Sequence, residues 1–175
     1  MPRIRRGREQ GQALVAVALT ISLLAMLMLT CIEIGGRYLQ RAVIEDALRQ
    51  STRSAVQTFD YAAFAANSQR VRETTPVAVT GCASLTRDSA RAYACAVLLD
   101  NLQYAQGLEE TADQTSARVQ WILLPQGGTC TFPGRAPISF STPAVCASLS
   151  PRMTGLLGWG IWMPQLDAAD TLDHT

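Results

Sequence analysis

Residues 10–32, QGQALVAVALTISLLAMLMLTCI, carry no charged side chain. Folded as a helix at about 1.5 Å per residue, those 23 residues reach roughly 34 Å, against a bilayer hydrocarbon core of about 30 Å. A cleavable signal peptide has an apolar run of only about 7–15 residues followed by a small-x-small site, which fits this stretch poorly. The reading is therefore a retained anchor. Arg3, Arg5, Arg6 and Arg8 against Glu9 give the preceding segment a net charge of +3. The rule that cytoplasmic flanks are rich in basic residues then places the N-terminus inside and the chain from about residue 35 outside.

This orientation sets the expected organisation: a cytoplasmic tail over 1–11, a transmembrane helix over 12–34, a helical stalk over 35–68 and a disulfide-stapled α+β ectodomain over 69–175. About 140 residues outside the membrane suffice for one compact core and not for two. Once the first eleven residues are set aside, 11 arginines face 13 acidic groups. The exported part therefore has no broad basic patch, and nucleic acid is not an expected partner. All 15 basic residues are arginine, which implies nothing about function.

Cys31 lies in the apolar run, whereas Cys82, Cys95, Cys130 and Cys146 lie beyond it. An even number of cysteines in an oxidising compartment predicts two disulfides. Three connectivities exist. The pairing Cys82–Cys95 and Cys130–Cys146 is favoured because each closes a local loop of 13 or 16 residues, worth about 3 kcal/mol in the chain-entropy model. A zinc site is the weaker reading, since there is no C-x-x-C pair and no nearby histidine.

No proline occurs between Pro2 and Pro76, so the spanning helix is predicted to run on past Arg53 toward Asn67, a rod of about 50 residues. Ile44, Leu48, Ala55, Phe59, Ala62 and Ala66 recur at helical spacing on it. That stripe packs either on the chain's own domain or on a partner helix. Arg41, Glu45 and Arg49 stand four apart and can pair along the other face. Gly35 and Gly36, at the expected membrane exit, allow a hinge or a close contact.

Beyond Pro76, PVAVTGC reads as a short strand into a turn at Gly81. A second helix is expected over Asp88–Tyr104, capped by Asp88, with Cys95, Leu98, Leu99, Leu102 and Ala105 on its apolar face and Gly107 as its stop. EETADQTS (109–116) reads as a surface connection. Three strands follow by alternation: ARVQWILLP, PISFSTP, and TGLLGWGIWMP with Leu157, Trp159, Ile161 and Met163 on one face. Trp121, Trp159 and Trp162 are expected in the core or on a sheet face, and Gly158 and Gly160 where a helix packs closely on the sheet. The expected fold is a long N-terminal transmembrane helix continuing into a second helix laid on a small antiparallel sheet, an α+β arrangement.

Catalysis is not expected. The sole histidine is His174, and GxSxG, GxxxxGK[ST] and HExxH motifs are absent. Glu109 and Glu110 read as solvated charges on different faces. No cofactor, metal or small-molecule substrate is implied.

The N-terminal third resembles the TadE/TadG-like family, small bitopic proteins of tight-adherence (Flp) pilus systems. The likeness rests on RRGREQGQALVAVAL, an acid near the end of the run at Glu33, the pair Gly36 and Arg37, and ALRQSTRSA at 47–55, and covers about residues 5–60. It implies a non-enzymatic, single-pass component of the bacterial cytoplasmic membrane. Its implied partners are membrane lipid and other pilus-assembly or pseudopilin subunits, with self-association through the N-terminal helix. Pseudopilin-like members are cut after the glycine, which here would separate Gly11 from Gln12, and carry glutamate five residues into the mature chain. Ala16 stands at that position, so a buried carboxylate cannot pair with a neighbour's amine. The likeness is closer to the TadG-like branch, which stays anchored. The alternative is an unrelated lipid-anchored or secreted envelope protein with Cys31 as its modified first residue, although Met28, Leu29 and Thr30 make a poor lipobox.

Overall fold

The structure, a computed structural model, describes residues 7–58, 76–82 and 89–172, with side chains from residue 13 onward. One helix, α1, runs unbroken over Gly7–Val56. Its Leu, Ala, Met and Arg content favours that state, and Gly35 and Gly36 do not interrupt it. It runs past Arg53 and ends at Val56, and the stretch from 59 toward Asn67 lies outside the described residues. In its last turns and just beyond, the Ser51, Thr52 and Thr58 hydroxyls donate to the carbonyls of Leu48, Arg49 and Ala55, three residues back. Such side chains offer the backbone alternatives to the helical ladder. Phe59, Ala62 and Ala66 lie outside the described residues.

Four strands form an antiparallel sheet in the order β1 (Val77–Thr80), β2 (Gln120–Leu124), β5 (Ala144–Leu149) and β8 (Leu166–Thr171). Successive members are neighbours, and each connection carries an excursion. Between β1 and β2 lie the helices α2 (Ala90–Leu102) and α3 (Ala112–Ser116). Between β2 and β5 lies the hairpin of β3 (Gly128–Cys130) and β4 (Ile138–Phe140). Between β5 and β8 lies the hairpin of β6 (Met153–Thr154) and β7 (Ile161–Trp162).

Strand alternation divides the interior into two layers. Trp121, Leu123, Val145, Ala147, Leu149, Leu166 and Ala168 point to one face, where α2 and the outer half of α1 cover them. Ile122, Leu124, Ala144 and Cys146 point to the other, under Cys130, Phe132 and Phe140 of the β3–β4 excursion. In the register Trp121 faces Ala147, which in turn faces Ala168. These alanines leave the room that a tryptophan and two helices require. Ile44, Leu48 and Ala55 are fully buried in the first layer, so this part of the stripe packs on the chain's own domain.

Several expectations need correction. Ser89 caps α2, its side chain accepting from the Ala92 amide at 3.1 Å, while Asp88 lies outside the described residues. The segment 109–116 is not all loop, because Thr111 and Gln114 form a capping box that starts α3. Glu109 and Glu110 converge on Arg152, at 2.8 and 3.6 Å from its Nε, and Glu110 also pairs with Arg118. The stretch TGLLGWGIWMP is a turn and half a hairpin rather than a strand. Gly158 and Gly160 have φ of +70° and +87°, a left-handed backbone that glycine adopts without steric cost, and no atom approaches either position. Trp121 is in the core, but Trp159 is half exposed.

Candidate functional site

The feature that stands out is the contrast between the two halves of α1. From Ala13 to Ile32 every residue is exposed, including Leu14, Leu19, Leu23, Met26 and Met28, and this segment is long and apolar enough to cross a membrane. Water-soluble monomers rarely leave so much contiguous apolar surface bare. The few polar side chains in it are internally satisfied. Thr20, Ser22 and Thr30 donate to the carbonyls of Ala16, Ala18 and Met26 at 2.7–2.9 Å. A helix with its own hydroxyls closed in this way presents no unmade hydrogen bond there to a hydrocarbon surrounding.

At the top of this stem the helix meets the turn between β6 and β7, and three sequence-predicted residues form the joint. Glu33 is 3% exposed although the residues on either side of it are open. Its Oε1 accepts from Arg37 Nε at 2.8 Å, one helical turn on, and its Oε2 accepts from the Leu157 amide at 2.9 Å. Arg37 Nη2 reaches across to the Trp159 carbonyl at 2.5 Å. A carboxylate withdrawn from water requires such partners, and the arrangement supplies one charged and one backbone donor. Gly36 lies against the Leu156 side chain, and a Cβ there would overlap it. A Cβ on Gly155 would likewise fall on the Glu33 carboxylate. Acid, glycine and arginine thus clasp a collar, residues 155–159, against one face of the helix.

Beside the collar Ile34, Arg37, Tyr38, Arg41 and Trp162 line a cleft of about 240 Å³. Farther up, Glu45 pairs with Arg49 at 2.7 Å and Arg41 at 3.9 Å, as the fourfold spacing anticipates. Ile34, Tyr38, Leu39 and Val43 remain exposed along the same helix.

Both favoured disulfides are present. Cys82–Cys95 ties the end of β1 to α2, and Cys130–Cys146 ties the β3–β4 hairpin to the central strand β5. Cys31 is free and exposed on the stem. Gly11 and Gln12 belong to the first turns of α1. Among the described residues no three His, Cys, Asp or Glu side chains gather in a metal-binding arrangement.

The collar's own residues, Gly155, Leu156, Leu157 and Trp159, are absent from the sequence-based site. Period-two alternation of Leu157, Trp159, Ile161 and Met163 suggested a strand, whereas the Gly-Trp-Gly punctuation at 158–160 was the better signal. Compared with protein-family models, curated proteins and solved structures, the chain gives no significant match.

Proposed function

We propose that this chain is a single-pass protein of the bacterial cytoplasmic membrane, with its Arg-rich tail inside and its disulfide-bonded domain outside, serving as a non-enzymatic TadE/TadG-like component of a tight-adherence pilus assembly system. The observation that carries the reading is the wholly exposed apolar stem joined to an oxidised domain through the Glu33–Arg37 collar. Three features of the family likeness, the acid at 33, the glycine at 36 and the arginine at 37, are the side chains and the bare helix position that this joint uses. Cystines favour an oxidising compartment for the domain, and the basic tail favours the cytoplasm for the N-terminus. With Ala16 in place of a glutamate, the anchored TadG-like role fits better than that of a processed filament subunit.

Four measurements test this. In native membranes the protein is expected to resist carbonate extraction, and protease added to spheroplasts should digest the domain while leaving the tail intact. Freely extractable protein, or a domain sheltered in the cytoplasm, defeats the anchoring. Deleting the gene should abolish surface filaments while pilin is still made, and unchanged filaments would defeat the pilus role alone. The mature N-terminus separates permanent anchoring from cleavage before Gln12 and from lipidation at Cys31.

A further inference from the structure

The third sheet excursion has a chemistry that the collar's joint does not explain. Residues 153–166 contain no charged side chain. The hairpin is rooted by Met153, fully buried, and its partner Trp162, which packs against the core. Its tip turns the other way, and Leu156, Leu157, Trp159, Ile161 and Met163 are all 40–64% exposed. Five large apolar residues on one small excursion of a domain held together by cystines call for a covering surface.

The depth of the tip along α1 identifies that surface. Its contacts on the helix are Glu33, Gly36 and Arg37, which begin one residue after the uncharged run ends. At about 1.5 Å per residue they lie within roughly 8 Å of Ile32. The headgroup layer on each side of the hydrocarbon core is about 5–8 Å thick. A helix that spans the bilayer over its uncharged run therefore holds the tip inside the headgroup layer. There tryptophan is the preferred side chain and apolar neighbours can reach the acyl boundary. The bare apolar tip meets α1 at the end of the bare stem, so one surface can cover both.

We propose that the β6–β7 excursion is a second, interfacial membrane contact, an apron of Leu156, Leu157, Trp159, Ile161 and Met163 laid on the outer face of the bilayer that α1 crosses. This rests on the reading of α1 as a membrane span. The apron and the Glu33–Arg37 clasp together fix the tilt of the domain, since one helix alone leaves it free to lean.

The test uses the full-length chain in phosphatidylethanolamine–phosphatidylglycerol vesicles, with Cys31→Ser as background and single nitroxide labels introduced by Leu24→Cys, Trp159→Cys, Ile161→Cys and Gln50→Cys. Leu24 reports the stem, and Gln50, roughly 25 Å beyond Glu33 on the same helix, reports water. Trp159→Cys keeps the carbonyl that Arg37 uses, and Ile161→Cys repeats the measurement should that variant fold poorly. Collision with oxygen relative to a water-soluble nickel chelate is expected to be severalfold higher at 159 and 161 than at 50, approaching the value at 24. If 24 favours oxygen while 159 and 161 match 50, the apron is overturned and the anchor stands. If 24 itself behaves as aqueous, the span fails and the apron with it. Shielding of 159 from both reagents with spin–spin broadening would assign the patch to a second copy and overturn the lipid contact.

Discussion

Glu33 is the residue on which the joint turns, because its two oxygens hold different partners: Arg37 of its own helix and the Leu157 amide of a distant turn. Removing the carboxylate should free the turn without unfolding the domain, whose core lies elsewhere. In Glu33→Ala the Leu157 amide is expected to exchange with deuterium severalfold faster while β2 and β5 keep their protection. Glu33→Gln retains an acceptor oxygen and should fall between the two. The same joint can be opened from the opposite side. Gly155→Ala drives a methyl onto the carboxylate, and overpacking of this kind costs about 1–3 kcal/mol, to be read as a lower urea midpoint. Exchange at Leu157 unchanged from wild type in all three variants would mean that the clasp contributes nothing. Glu33, Gly36 and Arg37 were legible in the sequence as a group near the end of an apolar run. Their partner was not, because a backbone amide 124 residues away leaves no mark on its own side chain.

At the scale of elements, α1 serves two environments along one uninterrupted helix. Its outer half is part of the domain's core, with Ile44, Ala47 and Leu48 packed under α2 and over the sheet. Leu48→Ala should therefore cost about 2–5 kcal/mol, whereas Leu39→Ala, at a position 70% exposed, should stay within about 0.5 kcal/mol. Urea unfolding of the full chain in detergent checks both, and equal losses would contradict the packing. The strands illustrate what periodicity can reveal. β2 was readable because bulky QWILL contrasts with its flanks. β5 was missed because AVCASL is buried on both faces and so cannot alternate. β8 was missed because LDAADT is rich in Asp and Ala, which strands disfavour. It holds its place through Leu166 and Ala168 in the core and through Asp167, which accepts from Arg135 and Ser148.

For the whole molecule, stability rests on two staples and one helix that does not belong wholly to the domain. The Cys130–Cys146 bridge closes a 16-residue loop and pins the flap that covers the second layer. Its replacement by paired serines should cost about 3 kcal/mol, seen as a fall in Tm under oxidising conditions that disappears when wild type is reduced at that bridge. The local spacing of the cysteines foretold both pairings, because short loops are the least costly to close. The sequence by itself determined the apolar stem, since 23 uncharged residues rich in helix formers and free of proline favour one unbroken helix. It also indicated the α+β character, favoured the disulfide pairing that the structure holds, and marked Ile44, Leu48 and Ala55 as one face of the outer helix. The tertiary structure alone decided that the stripe faces its own sheet, that small alanines open space for Trp121, and that an apolar turn far along the chain grips the helix where its charges resume. Periodicity records which side of an element is buried. Only the meeting of surfaces distant in sequence specifies against what.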